Sequence, residues 1–284
     1  LGVILFLRQG WVVGNAGLIG SLLIVTLAFV IVSFTALSMS SMTTNIRIGA
    51  GGAYSIISQS LGLEIGGSVG VPLYLAQALA VTMYIFGFRE GVIWAWEQYS
   101  SLPLSLPLMQ LSVDLTTFLV LFGILFVSTT LAFRIQYVIL AFIVASLVSI
   151  FGVVFLPESL SEPITWWGEF PGSPEEAFPG VSFWGVFAIF FPAATGIMAG
   201  ANMSGDLKNP RRSIPLGTLS AIGISYVIYI ATAVLLTKVA PTKELVSNYT
   251  ILIDISLWEP AVLAGLLGAT FSSALASFVG APRI

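Results

Sequence analysis

The chain has 284 residues, of which 57% are hydrophobic and 8% charged, with 10 Lys and Arg against 13 Asp and Glu. A soluble domain carries about 25% charged residues, and a surface this poor in charge does not stay dispersed in water. The mean hydropathy of +1.02 therefore indicates an integral membrane protein and excludes disorder, a secreted scaffold and a nucleic-acid binder.

A spanning helix needs about 20 mostly apolar residues. Eight such runs occur, over residues 1–19, 21–42, 66–97, 111–133, 135–156, 183–202, 214–239 and 260–279. Stretches such as 22–32 are continuously apolar, which rules out the alternating strands of a membrane barrel. No basic signal-like region precedes the first run, and the chain stops directly after the eighth. The sequence thus reads as a fragment, cut at both ends, of a longer protein.

Span 1 opens with Leu1-Gly2-Val3-Ile4-Leu5-Phe6, and Gly2 is its one weak point. Arg8 is costly inside a membrane unless paired. Span 3 is long and interrupted by glycines, so part of it is expected to tilt. It carries Tyr84, whose hydroxyl either bonds a backbone group or offers its oxygen to a cation. Glu90 comes near its outer end, where it could meet Arg8 as a gate or as a fixed bridge.

Span 6 contains Phe191-Pro192-Ala193-Ala194-Thr195-Gly196, and then Ile197-Met198-Ala199-Gly200-Ala201-Asn202. Pro192 removes a backbone donor and clashes with the preceding turn, and Gly196 and Gly200 loosen the segment after it. A break here frees amides and carbonyls at mid-membrane depth, where they must line a polar cavity or an ion site. The alternative is a proline kink packed against neighbouring helices. Half-helices starting at Gly2 and near Gly196 offer free amides and a positive dipole end to an anion. Carbonyls around Pro192 and Thr195 suit a cation. In span 8, Ala269, Ser272, Ser273 and Ala276 share one helical face. Two hydroxyls and a carbonyl there suit Na⁺, and equally suit a small-residue packing face.

The basic residues set an orientation. Loops after spans 2, 4, 6 and 8 hold Arg47, Arg134, Lys208, Arg211, Arg212 and Arg283. The other loops hold Lys238 and Lys243 plus an acidic stretch, Glu158, Glu162, Glu169, Glu175 and Glu176. The even-numbered loops are therefore expected on the cytoplasmic side. Span 6 then runs opposite to span 1, which predicts two inverted five-helix repeats, a transporter architecture. Residues 1–156 form the first repeat and 181–284 part of the second, within one transmembrane transport domain. No Cys or His is present, so thiol chemistry, Cys/His metal centres and imidazole switches are excluded, and no catalytic constellation is visible.

The stretches Gly2-Val3-Ile4-Leu5-Phe6-Leu7-Arg8, Gly51-Gly52-Ala53-Tyr54, residues 187–202, Ser204-Gly205-Asp206-Leu207 and Ser272-Ser273-Ala274-Leu275-Ala276-Ser277 resemble the cation-chloride cotransporter family. That family lies within the amino acid–polyamine–organocation superfamily. The resemblance implies an all-α, LeuT-like inverted-repeat fold, here spans 1–8, with spans 1 and 6 discontinuous. It implies symport of Cl⁻ with Na⁺ and K⁺, with no cofactor; its partners are the ions and the lipid bilayer, and a homodimer stays open. Carried over by position, Tyr84, Pro192 and Thr195 match potassium ligands. Gly2, Val3 and Ile4 match one chloride site, and Gly196, Ile197 and Met198 the second. Leu1, Ala269, Ser272 and Ser273 match sodium ligands, and Arg8 and Glu90 an outer gate. The paired serines and Tyr84 favour the sodium-potassium-chloride branch over sodium-free potassium-chloride symport. An amino acid permease of the same superfamily is the further alternative. The short, cysteine-free loop at 240–259 suggests a prokaryotic homologue in the inner membrane.

Overall fold

The most deeply buried element is the first one. In the computed structural model, helix α1 (Val3–Leu7) buries all five of its residues, with Leu5 and Phe6 essentially inaccessible. The structure describes residues 2–45, 52–100, 106–127, 129–156, 160–173, 178–202, 207 and 209–284. Leu1, Arg47, Glu158, Glu175, Glu176, Asp206 and Lys208 lie outside them.

Helix α2 (Gln9–Asn45) carries the rest of the first apolar run and the second, joined across Gly17, whose φ of 69° and ψ of −176° are not helical. Gln9 donates to the Tyr229 carbonyl at 3.4 Å, and the Phe29 ring lies 5.7 Å from the Tyr229 ring. Residues on both sides of Gly17 thus meet one partner, so the chain folds back there. Spans 1 and 2 occur as expected, with the turn at Gly17 rather than at residue 20.

After α3 (Gly52–Leu61), a short helix the apolar pattern does not show, α4 (Leu63–Tyr99) runs unbroken for 37 residues despite Pro72 and its glycines. At 1.5 Å per residue it is about 55 Å long, longer than the roughly 30 Å hydrocarbon core. Helices α5 (Leu106–Val127) and α6 (Thr129–Gly152) come next. A two-stranded hairpin, β1 (Gly172–Ser173) and β2 (Phe178–Pro179), leads into α7 (Phe183–Phe190) and α8 (Ala199–Asn202). Then come α9 (Pro210–Val239), the short helices α10 (Thr242–Ser247) and α11 (Ile251–Asp254), and α12 (Glu259–Gly280). Among the described residues seven helical segments are long and apolar enough to cross a membrane. Counting α2 as two across Gly17 reconciles them with the eight runs. Leu79, Leu119, Val148 and Val227 are exposed on their flanks, as lipid-facing positions are. Trp166, Trp184, Trp258 and Tyr99 are exposed at helix ends or in the adjoining loop, where an interfacial aromatic belt forms.

Span 1 is central because loops as well as helices cover it. Gly10 and Gly14 lie one turn apart and admit α10 and α11: a Cβ at Gly10 would stand 2.7 Å from Ile251, and one at Gly14 2.8 Å from Val246. The turn at Gly17 is bonded to the 165–172 loop. Leu18 and Ile19 donate to the carbonyls of Thr165 and Trp166 at 2.9 Å, Gly168 donates to Ala16 at 2.9 Å, and Phe170 to Asn15 at 3.1 Å. Between α4 and α5, Arg89 donates to Asp114 at 2.7 Å, both side chains being mostly buried. The charged pair stands where the surrounding residues are apolar, and neither residue is singled out by sequence pattern.

These contacts set the cost of two substitutions. Gly17→Val forces a β-branched residue into a region open essentially to glycine, at about 1–3 kcal/mol, and adds a clash with Gly168. Thermal unfolding in detergent should show a clearly lowered midpoint, and an unchanged midpoint contradicts the turn assignment. Asp114→Ala leaves Arg89 without its nearest partner and should cost about 3–5 kcal/mol, with Asp114→Ala/Arg89→Met recovering much of the loss in the same assay.

Candidate functional site

Span 6 sets the geometry. Ser182 caps α7 by accepting from the Gly185 amide at 3.1 Å. The helix then tightens into a 3₁₀ turn over Phe191–Ala194, and Thr195 is extended at φ −77° and ψ −178°. Gly196 has φ +95°, and helical geometry resumes at Ala199. A Cβ at Gly196 would meet nothing within 4 Å, so its left-handed backbone and not crowding is what calls for glycine. The Pro192 carbonyl, left free by the turn, accepts from the Thr195 hydroxyl at 2.7 Å and from its amide at 3.3 Å. Thr195 therefore spends its hydroxyl hydrogen on Pro192 and keeps its oxygen lone pairs available.

Across from this segment, Gly2 is extended and α1 begins at Val3. The amides at the start of a helix have no acceptor within it. Between the two lies a cavity of about 170 Å³. Gly2 and the first residues of α1, Val3 and Ile4, line it on one side, and Pro192, Thr195 and Gly196 of span 6 on the other. Tyr84 reaches it from α4 and Ser273 from α12. Ser273 faces the start of α1 closely, since a Cβ on Gly2 would lie 3.4 Å from its hydroxyl. Among the described residues no Asp, Glu, Lys or Arg lines the cavity. What it offers is neutral: amides at two chain irregularities, carbonyls and hydroxyls.

Other predicted residues stand elsewhere. Ser272 turns to α6, where its hydroxyl donates to the side-chain oxygen of Gln136 and its carbonyl accepts from the Gln136 amide at 3.4 Å. Ala269, one turn before it on α12, is buried in the core. Ile197 lines a second cavity of about 360 Å³ on the other side of the 193–200 segment, facing α9. Met198 packs against Met39, Ala201 and Ile214. Leu1 lies outside the described residues.

Arg8 and Glu90 are not joined. The Arg8 guanidinium stacks 4.1 Å above the Tyr249 ring, while Glu90 lies 3.8 Å from Arg89, itself held by Asp114. Among the described residues the ion pairs are those two alone, both made by Arg89. The reason is local: Arg89 precedes Glu90 directly, and Tyr249 is brought over Arg8 by the α10–α11 loop. Tyr249 is in turn hydrogen-bonded at 3.0 Å to Ser173, which accepts from the Trp11 indole at 2.7 Å.

The cavity also holds residues to which the sequence assigns no ligand role: Gln77 and Tyr229, and Asn202 and Ser277, which lie within the quoted motif stretches. Gln77 lies seven residues before Tyr84 and Ser277 four after Ser273, so helical spacing puts them on the faces already described. That spacing is the signal that could have found them. Nothing in the sequence marks Tyr229, which arrives from α9.

The family model described as Amino acid permease matches residues 1–284. Solute carrier family 12 member 2 of Homo sapiens is 34% identical over 100% of this chain and 27% of its own length. Solute carrier family 12 member 8 of Mus musculus is 36% identical over 100% of this chain and 40% of its own. Member 9 of Danio rerio is 32% identical over 99% and 35%. The chain thus spans well under half the length of these curated relatives. With an all-α membrane architecture, an interrupted span 6 and a match along its whole length, the chain belongs to the amino acid permease family, among relatives of solute carrier family 12.

Proposed function

We propose that the protein is a secondary transporter that moves chloride together with sodium and potassium. The observation that carries this reading is the neutral cavity of about 170 Å³ between the start of α1 and the irregular stretch of span 6. Sites for organic ligands are commonly about 300–1,000 Å³. A smaller space lined by amides, carbonyls and hydroxyls suits bare inorganic ions. The motif resemblance to cation-chloride cotransporters and the solute carrier family 12 relatives support the same reading.

In this reading K⁺ is held by the Tyr84 hydroxyl, the Pro192 carbonyl and Thr195. One Cl⁻ is held by the amides of Gly2, Val3 and Ile4, the other by those of Gly196, Ile197 and Met198. Adjacent cation and anion sites hold each other's ligand by direct attraction, which is strong where water is excluded. Occupancy of one raises affinity at the next, and this coupling is reciprocal. Sodium takes the span 8 site with Ala269, Ser272, Ser273 and Leu1. Ser273 is the hydroxyl turned to Gly2, whereas Ser272 must share its oxygen with Gln136. Residues 1–156 and 181–284 act as inverted repeats around these sites, with even-numbered loops cytoplasmic. The short 240–259 loop supports the inner membrane of a prokaryote. Arg8 closes the outer end, whether on Tyr249 or on Glu90.

An amino acid permease is the second reading, which the description of the matching family model supports. It requires space for a side chain, against which the bulk of Ile4, Tyr84 and Tyr229 around the cavity argues.

Rubidium uptake into liposomes, driven with chloride present and compared in sodium and sodium-free buffer, tests the assignment. Sodium-stimulated, chloride-dependent uptake is the expected result; uptake of a labelled amino acid without rubidium flux favours the permease. Thr195→Ala and Tyr84→Phe should each raise the rubidium concentration for half-maximal uptake about tenfold, the loss of one charge-assisted contact of roughly 1.5 kcal/mol. Ser273→Ala should weaken sodium stimulation by about tenfold or more and Ser272→Ala by less. Equal effects of the two serine variants would return Ser273 to a packing role.

A further inference from the structure

We infer that the hydroxyl of Tyr229, on α9, is an additional chloride ligand of the cavity beside α1. This rests on the transport reading above and adds to it a residue from an element that supplies none of the other ligands.

Tyr229 is fully buried. Its ring is fixed on two sides, by Phe190 at 5.3 Å between centroids in an edge-on arrangement and by Phe29 at 5.7 Å. Its carbonyl accepts from the Gln9 side chain, which fixes the backbone to span 1. A ring held at three points cannot swing its hydroxyl away. Its oxygen lies near the Leu5 amide, but its hydrogen has no acceptor among the described residues, and Tyr229 lines the cavity together with Gly2, Val3, Ile4 and Tyr84. Burying a hydroxyl hydrogen without an acceptor is costly. A rigidly placed phenol with an unused hydrogen at the wall of the cavity therefore has its acceptor in what the cavity carries.

The chemistry selects the anion. A phenol is a better donor and a poorer acceptor than an aliphatic hydroxyl, so its strongest partner is a negative charge. The neighbouring wall at Gly2, Val3 and Ile4 presents backbone amides, which are donors too, and no cationic side chain lines the cavity among the described residues. Where the protein supplies no cationic side chain, its own hold on a halide must come from several neutral donors. Tyr229 supplies one that has no competing acceptor among the described residues. The carbonyl of Pro192 and the hydroxyl oxygen of Thr195, which suit a cation, lie on the span 6 wall.

Tyr229→Phe tests this, because it keeps the ring between Phe29 and Phe190 and deletes only the oxygen. In liposomes carrying the protein, the chloride concentration for half-maximal rubidium uptake should rise about tenfold to a hundredfold. The half-maximal concentrations for rubidium and sodium, measured at saturating chloride, should stay within about twofold. A tyrosine that merely packs would move all three together or none. Tyr226→Phe is the control: its hydroxyl bonds Thr26 at 3.1 Å, away from the cavity, and its chloride dependence should match the parent protein. A second readout needs no transport: chloride in place of gluconate should raise the unfolding midpoint of the parent protein and of Tyr226→Phe, and should raise that of Tyr229→Phe clearly less at the same concentration. An unaltered chloride dependence in Tyr229→Phe, with chloride-dependent uptake in the parent, overturns this inference and leaves the transport reading standing. Uptake that ignores chloride in the parent protein itself overturns both.

Discussion

Backbone amides and carbonyls cannot be left dry and unpaired at the depth of a membrane, and the middle of this molecule is arranged around that constraint. A regular helix satisfies its own backbone. Span 6 does so only up to Phe190 and again from Ala199. Between them, Thr195 and Gly196 depart from helical geometry, and the groups they release are met by Thr195 itself and by the space beside α1. The start of α1 adds further free amides from the other side. Two irregular segments facing each other make a polar interior without a single charged side chain among the described residues, and the surrounding helices close it.

This explains why the N-terminal span is the most buried element although it is as apolar as its neighbours. A helix presenting free backbone groups cannot face lipid. It is wrapped by α4, α9 and α12 along its length and by two loops at its far end. The neutrality of the cavity has a further effect. Fixed charges would attract one counter-ion strongly, whereas amides, carbonyls and hydroxyls present partial charges of both signs without favouring one.

The helical architecture was legible because apolar length is its cause: every run expected in the sequence corresponds to a helical segment. Pro192 and Gly196 were legible because each has an intrinsic backbone consequence. Ser272 and Ser273 share a face by spacing, yet only one points to the cavity, since a helical face is broad enough to serve both α6 and α1. The partner of Arg8 was not legible. Pairing charges by depth leads to Glu90, but the adjacent Arg89 lies against Glu90, and the ring of Tyr249, from a distant part of the chain, covers Arg8. Tyr229 was hidden for a similar reason. Its significance lies in three partners from α2 and span 6, none near it in sequence.

The connections at the far end of span 1 have a mechanical consequence. Asn15 clasps Gly172 in both directions, donating at 3.3 Å and accepting at 2.7 Å. Trp11 holds Ser173, and Ser173 holds Tyr249. The upper half of span 1, the hairpin and the α10–α11 segment are thereby fastened into a single stiff lever. Its pivot is Arg8, where the backbone departs from helical values between α1 and α2. A torque applied to either loop therefore turns the lever as one piece and reaches the cavity at Gly2–Ile4 through that single pivot.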